Sequence, residues 1–180
     1  IAVAGMGIAK KINMLAFAVA QGITQGTLPL IGYNFTSGNR KRMLAAIRTL
    51  FLFSLVVSIT IAVLLYTNAS GVTRLFINDQ ETVQYGRAFL HIICSACPMT
   101  TMTFFTLTVF QATGQKRQPI LLSMLRKGTV DVPFMCLFSH IFGINGVAWA
   151  TPVAEITSLI VSAALVIPYI RKLSNQNIDQ

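Results

Sequence analysis

Apolar residues run almost the length of this chain, broken at intervals by short polar clusters. Five apolar stretches stand out, at 8–33, 43–67, 85–110, 120–142 and 146–170. Each is long enough to cross a bilayer, because about 20 residues rising about 1.5 Å apiece span a hydrocarbon layer about 30 Å thick. Backbone groups in lipid need partners within their own segment, so the stretches predict helices. The apolar-out, polar-in segments of about 10 residues that mark a membrane barrel do not occur. The expected fold class is all-α: a polytopic membrane protein with five transmembrane helices.

The connections carry helix-ending residues. Asn68-Ala69-Ser70-Gly71 closes the second stretch and Thr113-Gly114-Gln115 the third, while Gly143-Ile144-Asn145-Gly146 makes a tight turn before the last. Links this short force antiparallel neighbours, as in a bundle. The longest, at 68–84, has room for a short interfacial helix near 72–77. Pro98, Pro133 and Pro152 fall inside stretches, where each removes a backbone donor and bends the helix.

Composition strengthens the membrane reading. Charged residues make up 11% of the chain, against roughly 25% in soluble domains, and the mean hydropathy is +0.67. The net charge of +9 does not point to nucleic acid, because five spans sort it by side. One side receives Arg40, Lys41, Arg42, Arg48, Lys116, Arg117, Arg126, Lys127, Arg171 and Lys172, ten of the fourteen Lys and Arg residues. The other receives Lys10, Lys11, Arg74 and Arg87, with Asp79 and Glu81 nearby. Basic residues favour the cytoplasmic face, so the first helix enters from outside and the polar tail, 174–180, lies in the cytoplasm. A first residue Ile1 and an outside start imply that the chain is the C-terminal part of a longer protein; no signal peptide is visible.

Two of the five acidic residues, Asp131 and Glu155, lie within spans. A charged side chain at mid-membrane costs at least about 2.5–3.5 kcal/mol on insertion scales, so both should face protein or water. Such a carboxylate can hold a proton, a sodium ion or a cationic drug, one at a time. The bland alternatives are an interhelical contact for Glu155 and an intrahelical pair with Lys127, four residues earlier, for Asp131. His91, Cys94 and Cys97 on one continuous helix cannot surround a metal, so they imply packing, with no metal site and no cofactor. The run Thr100, Thr101, Thr103, Thr106 and Thr108, interleaved with Met and Phe, offers hydroxyls that soften a helix and an adaptable apolar face for hydrophobic cations.

The segment 21–42, QGITQGTLPLIGYNFTSGNRKR, sets Gly22, Gly26, Pro29 and Gly32 in the inner half of the first helix. Small residues permit close helix approach. Gln21, Gln25 and Asn34 supply amides for freed carbonyls or for water, and Arg40, Lys41 and Arg42 anchor the end at anionic lipid headgroups.

Gln25-Gly26-x-x-Pro29-Leu-Ile-Gly32-Tyr33-Asn34-Phe35, followed by Gly38-Asn39 and Arg42, resembles the QGxxPLxGYNYGA…R signature of MATE (multidrug and toxic-compound extrusion) transporters. Phe110-Gln111-Ala112-x-Gly114-Gln115, Leu125-Arg126 and Gly143-Ile-x-Gly146-Val147-x-Trp149-Ala150-x-Pro152-x-Ala-Glu155 follow in the family's order, most like its MepA-type bacterial branch. Departures are Phe35-Thr36-Ser37 for Tyr-Gly-Ala, Lys127 after Arg126, and Asp131 in an apolar stretch.

The resemblance implies a twelve-helix, two-lobed transporter. Residues 1–173 would form helices eight to twelve, most of its C-terminal six-helix lobe, with the N-terminal lobe as the missing partner. It implies export of organic cations or amphipathic drugs across the bacterial cytoplasmic membrane, driven by sodium ions or protons. Glu155, Asp131, Gln21, Gln25 and Asn34 would bind ion or substrate, while Gly26, Pro29, Gly32 and Pro152 would shape the gate. A lipid-linked oligosaccharide flippase of the same superfamily is the alternative. An intramembrane enzyme is the weaker one, since GxSG, HExxH and Asp-rich metal motifs are absent from the sequence.

Overall fold

The computed structural model describes residues 2–125 and 131–175. Every regular element among them is a helix: α1 Ala2–Thr36, α2 Arg40–Thr67, α3 Ala69–Arg74, α4 Gln80–Cys94, α5 Cys97–Ala112, α6 Arg117–Met124 and α7 Asp131–Asn175. Helix α7 breaks at Gly143, whose φ of 60° and ψ of −139° leave the helical region. The break divides it into arms Asp131–Gly143 and Gly146–Asn175.

Helices α1, α2 and the second arm of α7 are each long and apolar enough to cross a membrane, and so is the bent pair α4–α5 when taken as one span. The expected span at 85–110 is therefore two helices meeting at 44° rather than one rod. Pro98 explains the position of the break. It occupies the first turn of α5, where a missing N–H costs nothing because that donor has no helical partner anyway. The expected span at 120–142 crosses residues outside the described set. Helix α6 and the first arm of α7 flank it, and the anticipated Lys127–Asp131 pair falls in that gap. The short helix expected near 72–77 forms slightly earlier, as α3.

Burial follows helical spacing. Helix α1 turns Met6, Ala9, Ile12, Ala16, Ala20 and Thr24 inward, and α2 turns Met43, Ile47, Leu50, Ser54 and Ser58. The opposite faces carry exposed Leu15, Val19, Leu52, Phe53, Val56 and Val63, which suits lipid. Helix α5 is the centre: every residue from Thr103 to Phe110 is buried. Phe17 meets Phe104 edge-on at 4.7 Å, Phe51 meets Phe105 at 5.4 Å and Phe110 lies against Tyr169 at 5.2 Å. Phe104, Phe105 and Phe110 of the anticipated Met and Phe face are thus core packing, while its Met99 and Met102 are half-buried. Thr100, Thr101, Thr103 and Thr106 donate to carbonyls four residues back, satisfying their hydroxyls without a neighbour.

Helix α4 packs closely against both α1 and α3. A Cβ added to Gly5 would lie 3.0 Å from the Gly86 nitrogen, and one added to Gly86 would lie 2.7 Å from the Thr73 methyl. At the other end of the bundle, Phe35, Arg40, Gln115, Gln118, Tyr169 and Lys172 wall one cavity. The α1–α2 turn, the α5–α6 turn and the end of α7 therefore meet at one pole, as alternating spans require.

Candidate functional site

Both carboxylates inside the apolar bundle reach the same place. Asp131 stands twelve residues before Gly143 in the first arm of α7, and Glu155 stands nine after Gly146 in the second. At about 1.5 Å per residue those are depths of roughly 18 and 14 Å from the turn. The turn reverses the chain. A Cβ on Gly146 would collide with the Phe138 carbonyl, eight residues back, so the arms leave in close contact.

The carboxylates help wall a cavity of about 380 Å³ between α1, α4 and α7, whose other polar groups are Lys10, Asn13 and Thr151. Met14, Phe17 and Ile93 supply apolar surface to it. Glu155 is 5% exposed, Asp131 is half-buried and Lys10 is exposed. One α1 face serves this wall, since residues 10, 13, 14 and 17 fall at helical spacing. Carboxylates beside an ammonium, an amide and aromatic surface can exchange a small inorganic cation for an organic one.

Asn13 also borders a second, much smaller cavity of about 20 Å³ with Ser54, Ser58, Thr100 and Thr101. The Cys97 thiol donates to its Oδ1 at 3.4 Å. Cys94 and Cys97 are buried free thiols, and the break before α5 places them on different helices. No group of three metal-ligating side chains occurs among the described residues. His91 stacks on Tyr66 at 4.1 Å, with Nε2 3.1 Å from the Tyr66 carbonyl oxygen.

The other anticipated residues lie elsewhere. Gln21 and Gln25 are exposed and take no part in the carboxylate cavity. Asn34 is buried, but its Nδ2 donates to the Leu30 carbonyl at 2.7 Å. The carbonyl that Pro29 deprives of a donor is that of Gln25, four residues before it. Gly32 packs as expected, 3.4 Å in Cβ terms from the Ala112 carbonyl, whereas Gly22 and Gly26 have nothing within 4 Å. Pro152 is buried one turn before Glu155. The sequence reading gives Lys10, Asn13 and Thr151 no role in this site. Sign counting places Lys10 among the loop-side charges, although a Lys and an Asn three apart in an apolar helix form a polar stripe.

Residues 1–137 match the MatE family profile. Multidrug export protein MepA of Staphylococcus aureus is 29% identical over 169 residues, covering 94% of this chain and 37% of that protein. MepA of Staphylococcus saprophyticus is 27% identical over the same length. Among solved structures, a multidrug resistance MATE family transporter in its outward-facing conformation superposes with a TM-score of 0.87 at 19% identity, over 96% of this chain and 39% of its own. The MATE multidrug transporter DinF-BH gives 0.81 at 28% identity, over 89% and 36%. The chain spans a little over a third of the length of the relatives it matches.

Proposed function

The chain belongs to the MatE family of membrane transporters, and from that premise we propose that it supplies part of the path of an antiporter exporting organic cations or amphipathic drugs. Inward flow of sodium ions or protons drives the export, across the cytoplasmic membrane and with the C-terminus on the cytoplasmic side. One observation carries the reading: Glu155, 5% exposed on an apolar helix, opens with Asp131 on a cavity between α1 and α7. The bundle bears the desolvation of a mid-span carboxylate there, a cost a purely structural position would avoid with an apolar residue. The names of the MepA relatives, multidrug export proteins, support drug-like cargo. The gathering of Arg40 and Lys172 at one pole supports the orientation, because basic residues stay cytoplasmic.

In mechanism, the coupling cation and the drug compete for the same carboxylates, so one must leave before the other binds. Glu155 holds the cation, Asp131 shares it from the facing arm, and Met14 and Phe17 take the apolar part of the drug. The test is efflux by the complete native polypeptide in vesicles, with sodium and proton gradients imposed separately. One gradient should drive efflux, and Glu155→Gln should abolish the coupling while leaving the protein folded. Undiminished gradient-driven efflux by Glu155→Gln would refute this site.

A further inference from the structure

Ser54 is wholly buried on the inward face of α2, and its Oγ has no hydrogen-bond partner among the described residues. It stands on the wall of the smaller cavity, about 20 Å³, between α1, α2 and α5. A buried hydroxyl left unpaired is costly, so native structures almost always supply it with a partner. The other polar hydrogens on that wall are committed elsewhere. Ser58 donates to the Leu55 carbonyl at 3.0 Å, Thr100 to that of Ala96 at 3.0 Å and Thr101 to that of Cys97 at 2.9 Å. The Cys97 thiol donates to Asn13 Oδ1 at 3.4 Å. Each of these oxygens keeps acceptor capacity after such a bond, so the wall combines one uncommitted donor with several acceptors.

We propose that this cavity is a binding site for one ordered water, which accepts from Ser54 Oγ and donates to Asn13 Oδ1 and to a threonine hydroxyl of α5. Three hydrogen bonds are the usual complement of a buried water, and about 10–15 Å³ is room enough for one. A metal ion fits the wall less well: the side chains on it carry no formal charge, and the Ser54 hydrogen needs an acceptor, which a cation does not provide. The water joins α2 to both α1 and α5 inside the bundle. Asn13 also walls the carboxylate cavity, to which α2 contributes no residue, so the water ties α2 to that wall as well. The site is independent of what the carboxylate cavity carries.

The experiment is hydroxyl-radical labelling of the complete native polypeptide by pulsed X-rays, in which a bound water yields the radical beside the side chains it touches. Cys97, on the cavity wall, should be oxidised promptly in the wild type. Ser54→Thr keeps a hydroxyl, which can bond the Leu50 carbonyl four residues back, and sets a methyl in the water's place. Ser54→Ala removes one of the water's partners. Cys97 should lose most of its oxidation in Ser54→Thr and part of it in Ser54→Ala, while Cys94, off this wall, keeps its wild-type rate in both. Undiminished Cys97 oxidation in Ser54→Thr would overturn the proposal, because the radicals then arrive from bulk solvent. Equal losses at Cys94 and Cys97 would overturn it in favour of a general change in packing. Should the variants not fold, a wild-type structure fine enough to show waters decides. A single peak about 2.5–3.0 Å from Ser54 Oγ and Asn13 Oδ1 is expected; a dry cavity, or a peak with the shorter contacts of a metal ion, would overturn the proposal.

Discussion

Gly86 offers the sharpest test of the packing that holds the bundle together. A Cβ there would sit 2.7 Å from the Thr73 methyl, with the next atoms, the Gly5 carbonyl oxygen and the Thr73 hydroxyl, at 3.6 Å. The methyl has no easy escape, because Thr73 is wholly buried and its hydroxyl donates to the Ala69 carbonyl at 2.7 Å. Gly86→Ala should therefore destabilise the protein by about 1–3 kcal/mol, the usual size of overpacking. At about 2–4 °C per kcal/mol for a domain of this size, the melting temperature falls by roughly 2–12 °C. Thr73→Ser deletes the clashing methyl and keeps the hydroxyl bond. In the double variant the nearest contact is the ordinary 3.6 Å one, so most of the Gly86→Ala loss should return as a favourable coupling. Reaction of buried Cys94 and Cys97 with a thiol dye during heating reads the transition in a Cys136→Ser background. Gly5→Ala makes a useful contrast, since its Cβ meets backbone at 3.0 Å and Thr73→Ser offers it no relief. Additive losses in the Gly86–Thr73 cycle would refute the proposed clash.

Three further outcomes rest on single features. Gly143→Ala should cost about 1–3 kcal/mol, because its φ of 60° with ψ of −139° is glycine territory; the same thermal assay reads it. Asp79 caps α4, accepting first from the Thr82 hydroxyl and then from its backbone N–H, which lowers its pKa from the ordinary 3.8. Its stabilisation is thus complete above the unfolded carboxylate pKa and is lost as pH falls through the lowered folded value. Hydrogen exchange at the first turn of α4 should rise over that fall, and Asp79→Ala should remove the pH dependence. In intact cells an impermeant maleimide should label Glu81→Cys, while Lys116→Cys should react only after permeabilisation. The reverse pattern would invert the proposed orientation.

Hydropathy makes the helices plain because lipid-facing and core-facing positions are both apolar, so whole spans register as runs. The same uniformity hides what bends and joins them. Pro98 reads as an interior kink, although a proline is equally at home opening a helix, and only packing decides between a bent helix and two. Gly22 and Gly26 look like contact points by composition, but the close approaches are at Gly5, Gly32, Gly86 and Gly146. A single sequence states which residues are small, not which helix faces them. Asp131 and Glu155 stand out because carboxylates are rare in spans, yet their shared cavity depends on the chain reversal at Gly143. Sign counting assigns Lys10 to the outer side, a rule that weighs charge per connection and ignores helix faces. The carboxylates that line the same cavity come from α7, more than a hundred residues away.

The most direct test of the carboxylate cavity as the cargo site is ligand protection of a single cysteine on its wall. Met14 lines the cavity and its exposed neighbour Leu15 does not. In the complete polypeptide with Cys136→Ser, tetraphenylphosphonium should slow alkylation of Met14→Cys and leave Leu15→Cys unaffected. Glu155→Gln should abolish the protection. Equal alkylation of Met14→Cys with and without a saturating monocation would contradict the account.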